Sequence, residues 1–216
     1  IYCLQWKDVI MGDSLGSIFR NLDLSVDNGL AVDTQQELTV YQRQFYLQVK
    51  EKLNIDAVYF LRDSEGVPKT PLIYFSCMDS YDADKIAQLH RLSWNTGEAP
   101  LLFIVLPDQL LVFNNYVTPK QKDGKLDPTK GLIEKISLVN DLEQQRQMQK
   151  YNRLQLETGK YWRDNAERFN ILNRIDTTLI NNLKIMRKRL MQLISGRCTD
   201  TISSKEVATI VHGILG

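Results

Sequence analysis

"DAVYFLRD" (Asp56–Asp63) and "TPLIYFSCMD" (Thr70–Asp79) are two short runs rich in β-branched and aromatic residues, and "SEGVPKT" between them carries Gly66 and Pro68. Such side chains suit a pleated, packed surface, and Gly with Pro marks a turn, so the pair predicts a β-hairpin. Its flanks decide the fold. Upstream, "TQQELTVYQRQFYLQVKEKLN" opens with Thr34 and Glu37 in capping-box spacing and places Leu38, Tyr41, Phe45, Val49 and Leu53 on one helical face. Downstream, "DSYDADKIAQLHRLSWNTG" predicts a helix capped by Ser80 or Asp82, ended by Gly97, with Ile86, Leu89 and His90 on one side. "APLLFIVLP" and "QLLVFNNY" follow as strands joined by a tight "PDQ" turn. The order helix, strand, strand, helix, strand, strand predicts an α/β (α+β) module with a small mixed sheet of about four strands and flanking helices, spanning residues 34–116.

The rest of the chain is organised around that module. Residues 1–33 form an amino-terminal extension with turn signals and no assigned element. Residues 117–140 predict a linker, since 117–135 hold five lysines, two prolines and two glycines. Residues 141–216 predict an α-helical arm. In it Leu172, Leu179, Met186 and Leu193 recur every seven residues, while Phe169, Leu183 and Leu190 fill a second seam that Asp176 interrupts. A helix capped by Ser203 or Ser204 closes the chain, and its apolar pattern breaks off without a stop signal, which with Ile1 at the start predicts a piece of a longer protein.

Composition narrows the function classes. The chain has 216 residues, a formal net charge of +1 and 43% hydrophobic residues, ordinary values for a folded domain with a core. Near-neutral charge means that nucleic-acid binding would have to come from a local patch. The longest apolar run, "PLLFIVLP", is far short of the roughly 18–20 residues of a membrane span, and no leader pattern opens the chain. Cys3, Cys77 and Cys198 are odd in number and widely spaced, with no CxxC and two histidines in the whole chain. A cytoplasmic setting away from membranes is expected.

Several motifs resolve to structural readings. "GDSLGS" (Gly12–Ser17) lacks both a preceding buried strand and a GxG core, so it reads as a turn and not a cofactor loop. No GxxxxGK[ST] loop occurs. His90 and His212 lie in apolar patterns and read as packed histidines. Trp94 and Asn95 close a helix, Trp94 plugging the base of the sheet and Asn95 serving loop amides. The segment from Lys184 to Arg197 differs. Lys184, Arg187, Lys188, Arg189 and Arg197 stand there without an acidic residue, and Lys184, Arg187, Lys188 and Arg189 are the DNA-contact candidates.

Together, "DAVYFLRD", "PLIYF", "LHRLSWNTGEAPLLFIVLPDQLLVFNNYVTP", "LETGKYW", "NRIDTTLINNLKIMRKRL" and "VATIVHGILG" resemble the amino-terminal region of bacterial restriction-modification proteins whose later part is an adenine-specific DNA methyltransferase. The resemblance covers about residues 34–216 and is strongest between Asp56 and Tyr116. It implies a module similar to the PD-(D/E)xK nuclease fold, followed by a helical arm leading to a methyltransferase core absent from this chain. In that nuclease pattern an aspartate on one hairpin strand and an acidic-x-lysine triplet on the partner strand hold divalent metal. Here Asp56 takes the aspartate's place, and Phe75, Ser76 and Cys77 take the triplet's. A hard cation needs oxygen ligands, so a degenerate, non-catalytic module is expected, with Asp56 the weak catalytic candidate and Asp63, Glu65 or Asp79 as substitute ligands.

The resemblance further implies double-stranded DNA as partner, together with the methyltransferase core of the same chain and another restriction-modification subunit. S-adenosylmethionine would be bound by the parent enzyme and not by this fragment, which carries no Asn/Asp-Pro-Pro-aromatic motif. Two other readings stay open. One is a Mg²⁺-dependent endonuclease using Asp56; the other is an oligomerisation module built on the heptad arm.

Overall fold

The computed structural model describes residues 15–33, 38–63, 65–122, 124–139, 141–169 and 186–189. The chain divides into two compact units, Ile1–Asn173 and Arg174–Gly216. The first is a six-stranded mixed sheet with helices on both faces.

The hairpin forms as its sequence predicts. β2 (Ala57–Arg62) and β3 (Pro68–Cys77) pair antiparallel with Ala57 opposite Phe75 and Val58 opposite Tyr74. Helix α3 (Ala83–Thr96) then carries the chain across to β4 (Leu101–Val105), which lies parallel to β3, as a parallel neighbour requires a crossover. β5 (Gln109–Asn114) returns antiparallel to β4. Strand period two sorts the side chains. Phe75, Leu101, Phe103, Val105, Leu110 and Val112 enter one core layer, whereas Tyr74, Leu102, Ile104, Leu111 and Phe113 enter the other. Because both faces are covered, the strands read as continuous apolar runs.

Helix α2 (Val40–Leu53) covers the second layer with α3. Its cap is Thr39, whose Oγ1 accepts from the Gln42 amide at 3.2 Å while Gln42 Oε1 accepts from the Thr39 amide. Of the expected Thr34–Glu37 box, both residues lie outside the described ones. The buried face is Gln42, Tyr46, Val49 and Leu53, rotated from the expected one, and Tyr41 is 46% exposed. Tyr46 is buried with its hydroxyl donating to the Asp56 carbonyl at 3.1 Å, while Tyr41 packs against Phe45 and Phe60. In α3 the cap is Asp82, accepting from the Asp84 and Lys85 amides, and Gly97 ends the helix at φ 70°.

Two strands join the sheet outside the expected module, so it has six strands where about four were expected. β1 (Leu30–Val32) pairs with β2 from within the unassigned extension. Gly29, at φ 113°, precedes it because a Cβ there would meet the Phe60 carbonyl oxygen at 2.3 Å. The stretch 117–140, expected as a linker, holds the small ribbon β6 (Gln121–Lys122) with β7 (Lys125–Leu126), and then β8 (Leu132–Ser137), which pairs antiparallel with β5. Residues 15–21 form α1, which places Ile18 and Leu22 in the first core layer.

The arm also begins later than residue 141. Helices α4 (Asp141–Met148), α5 (Arg153–Glu157) and α6 (Lys160–Asp164) are short and bury Met148, Tyr151, Leu156 and Tyr161 against the sheet, so they belong to the first unit. The heptad residues Leu172, Leu179 and Leu193 lie outside the described residues, as do Asp176, Leu183 and Leu190. In the second unit residues 186–189 are helical, and Met186 is 51% exposed.

His90 is buried in α3, its Nε2 3.3 Å from the Asn114 carbonyl, and burial lowers its pKa below the ordinary 6.5. The unfolded chain therefore takes up a proton that the folded chain resists. Stability is expected to fall as pH drops below about 6.5, where the unfolded state binds more protons. Denaturant midpoints across that range check it, and His90→Gln should flatten the dependence.

Candidate functional site

The end of the β2–β3 hairpin that holds the sequence's catalytic candidate is built from Asp56, Phe75, Ser76 and Cys77. Asp56 enters β2 just after α2 closes on Asn54, a left-handed C-cap at φ 53°. Its amide donates to the Phe75 carbonyl at 2.8 Å, and its Oδ2 accepts from the Cys77 amide at 2.7 Å. The carboxylate is thus engaged by the backbone of the partner strand. The residue keeps an exposed face, yet protein packed around the carboxylate raises its pKa above 3.8, and the hydrogen bonds from Cys77 and the charge of Lys50 offset this only in part.

Its partners are core. Phe75 is fully buried, edge-on to Phe19 at 5.1 Å and to Phe103 at 5.3 Å between ring centroids. Ser76 is buried with its hydroxyl 3.5 Å from the Asn54 carbonyl. The half-buried Cys77 thiol is pushed up to about 12, chiefly by burial and then by Asp56, which favours the protonated thiol at neutral pH. The acidic-x-lysine chemistry has no counterpart at these three positions.

The substitute ligands do not converge on Asp56. Asp63 lies at the far end of β2, about 20 Å away at the rise of a strand. There it organises the hairpin turn: Oδ1 accepts from the Glu65 and Val67 amides at 2.9 Å, and Oδ2 pairs with Lys69 at 2.5 Å. The hydrogen bond from Lys69, followed by those amides, lowers its pKa. Glu65 belongs to the same distant turn, whereas Asp79 is exposed two residues beyond Cys77. Among the described residues no group of three or more His, Cys, Asp or Glu side chains is placed to hold a metal ion.

Because Asn keeps an acceptor for the Cys77 amide, Asp56→Asn is expected to preserve the fold. The raised pKa means that ionising Asp56 opposes folding as pH rises through the folded value, so the amide should leave stability at neutral pH unchanged or slightly higher. Its exposed face keeps the effect small. Thermal midpoints of both forms at neutral pH check this; a clear loss would mean that the charge itself is needed.

Of the basic candidates, Arg187, Lys188 and Arg189 are exposed along one helical turn, and Lys184 and Arg197 lie outside the described residues. Trp94 is half-buried with its indole N–H enclosed and without a partner, and Asn95 is exposed. Leu15, Gly16 and Ser17 of the "GDSLGS" stretch are helical; Gly12 to Ser14 and His212 lie outside the described residues.

Sequence reasoning missed a polar assembly that ties the short helices to the sheet. Tyr59 donates to Glu157 Oε1 at 2.8 Å, while Glu157 Oε2 pairs with Arg153, which also holds Asp23 at 2.8 Å. Next to it, Glu134 of β8 accepts from Lys150 and from the Tyr151 hydroxyl at 2.9 Å. Apart from the i,i+4 pair Arg153–Glu157, the partners are far apart in sequence and no spacing marks them. Among the described residues no helix is long and apolar enough to cross a membrane.

Comparison with known proteins finds no matching family model, no matching curated protein and no matching solved structure.

Proposed function

We propose that this chain is the non-catalytic, DNA-positioning portion of an adenine-specific restriction-modification protein, acting in the cytoplasm. The observation that carries this reading is the hairpin end. Asp56 stands where a nuclease carboxylate would stand, but it is hydrogen-bonded to the Cys77 amide and faces a triplet turned into core. Loss of the reactive groups from a retained α/β frame leaves binding as the work of the module. The exposed run Arg187–Lys188–Arg189, all of one sign, supports double-stranded DNA as the ligand, since phosphate neutralisation by Lys and Arg supplies most sequence-independent affinity. The helical arm would connect to a methyltransferase core that binds S-adenosylmethionine and flips the target adenine, and another subunit of the system would be a further partner.

The test is incubation of duplex DNA with the chain in Mg²⁺. Intact DNA is the expected result for both the wild type and Asp56→Ala. Mg²⁺-dependent cleavage that disappears in Asp56→Ala would overturn the reading in favour of an active nuclease.

A further inference from the structure

A cleft of about 590 Å³ opens on the β8 side of the sheet, between that strand and the helices from α4 to α6. Arg146, Lys150, Lys160 and Arg168 line it, against two carboxylates, Glu134 and Asp164. Lys150 is paired with Glu134 at 2.5 Å. Four positive and two negative side chains leave a formal surplus of two positive charges, which a phosphate monoester dianion would neutralise. Tyr161 also lines the cleft and is 5% exposed, its hydroxyl enclosed beside that of Tyr151, which gives its own proton to Glu134. The cleft is of small-molecule size, larger than a phosphate group alone needs.

We propose that the cleft between β8 and helices α4 to α6 binds an organic phosphate monoester, its phosphate held by Arg146, Lys160 and Arg168. The site is built from residues of the first unit, uses none of Arg187, Lys188 or Arg189, and does not rest on the DNA-positioning reading.

A phosphate monoester arises either as a free metabolite or as the 5′ end of a nucleic-acid strand, and one experiment separates the sources. The full chain is titrated calorimetrically with glucose 6-phosphate, adenosine 5′-monophosphate, a 5′-phosphorylated oligonucleotide, and each of these without its phosphate. Saturable binding of a phosphorylated member, lost with the phosphate, is the expected result. A response to the free esters assigns a metabolite, and a response to the oligonucleotide alone assigns a strand end. The double variant Arg146→Ala/Arg168→Ala should weaken that binding at least tenfold. Binding by no member of the panel, or equal binding of the dephosphorylated partners, would overturn the proposal. Because the Asp56 and Arg187–Arg189 tests read other residues, the two readings fail independently.

Discussion

Replacing Phe75 by alanine is expected to destabilise the first unit by about 3–5 kcal/mol, the usual cost of emptying a buried aromatic site. Phe75 is fully enclosed between Phe19 of α1 and Phe103 of β4, both edge-on to its ring, in the centre strand pair of the sheet. Neither neighbour can collapse into the void without losing its own packing, because Phe103 is fixed beside Phe75 in the β3–β4 register and Phe19 is held over the same layer by α1. Phe75→Glu should be worse still, since an unpaired carboxylate would sit among aromatic rings. Denaturant unfolding of the full chain measures both. A loss below about 1 kcal/mol for Phe75→Ala would mean that the site is plastic and that the packing around Phe75 is not rigid.

The second large effect concerns Arg187, Lys188 and Arg189. Their joint exchange for alanine is expected to weaken duplex DNA binding and to reduce the salt slope by about 0.9 for each phosphate no longer neutralised, at most about 2.7 for all three. The three side chains are exposed on a helical turn, so their removal should leave the circular dichroism spectrum unchanged. Alanine also suits a helix, which removes altered propensity as an explanation. Equal affinity and an equal slope in the variant would show that DNA, if bound, is held elsewhere.

What could be read from the sequence follows from how sharply each element is punctuated. The β2–β3 hairpin and α3 were legible because Gly66 and Pro68 mark the turn, Asp82 caps the helix and Gly97 ends it. The β8 strand was not. "LIEKIS" places Glu134 and Lys135 mid-strand, only Ile136 is fully buried, and its pairing with β5 follows a lysine-rich connection that locally resembles a loop. The helices α4 to α6 were hidden for a related reason. Their aromatic contacts, Tyr151 with Tyr161 at 5.2 Å and Trp162 with Phe169 at 5.1 Å, come from three short segments with no common period.

At the candidate site, the juxtaposition of Asp56 with Phe75, Ser76 and Cys77 was legible because an antiparallel hairpin fixes which residues face each other. The direction of the carboxylate was not, since nothing in the sequence says that the Cys77 amide would capture Oδ2. The cleft with Tyr161 was illegible altogether, because it gathers residues from β8 and from helices up to 35 positions later, Ile133 to Arg168.

The most direct test of the DNA-positioning account is duplex DNA binding by the wild-type chain at about 50 and about 200 mM salt in Mg²⁺, with the same samples followed for cleavage. The account predicts binding that weakens steeply between the two salts while the DNA stays intact. No binding at either salt, or affinity indifferent to salt, would contradict it.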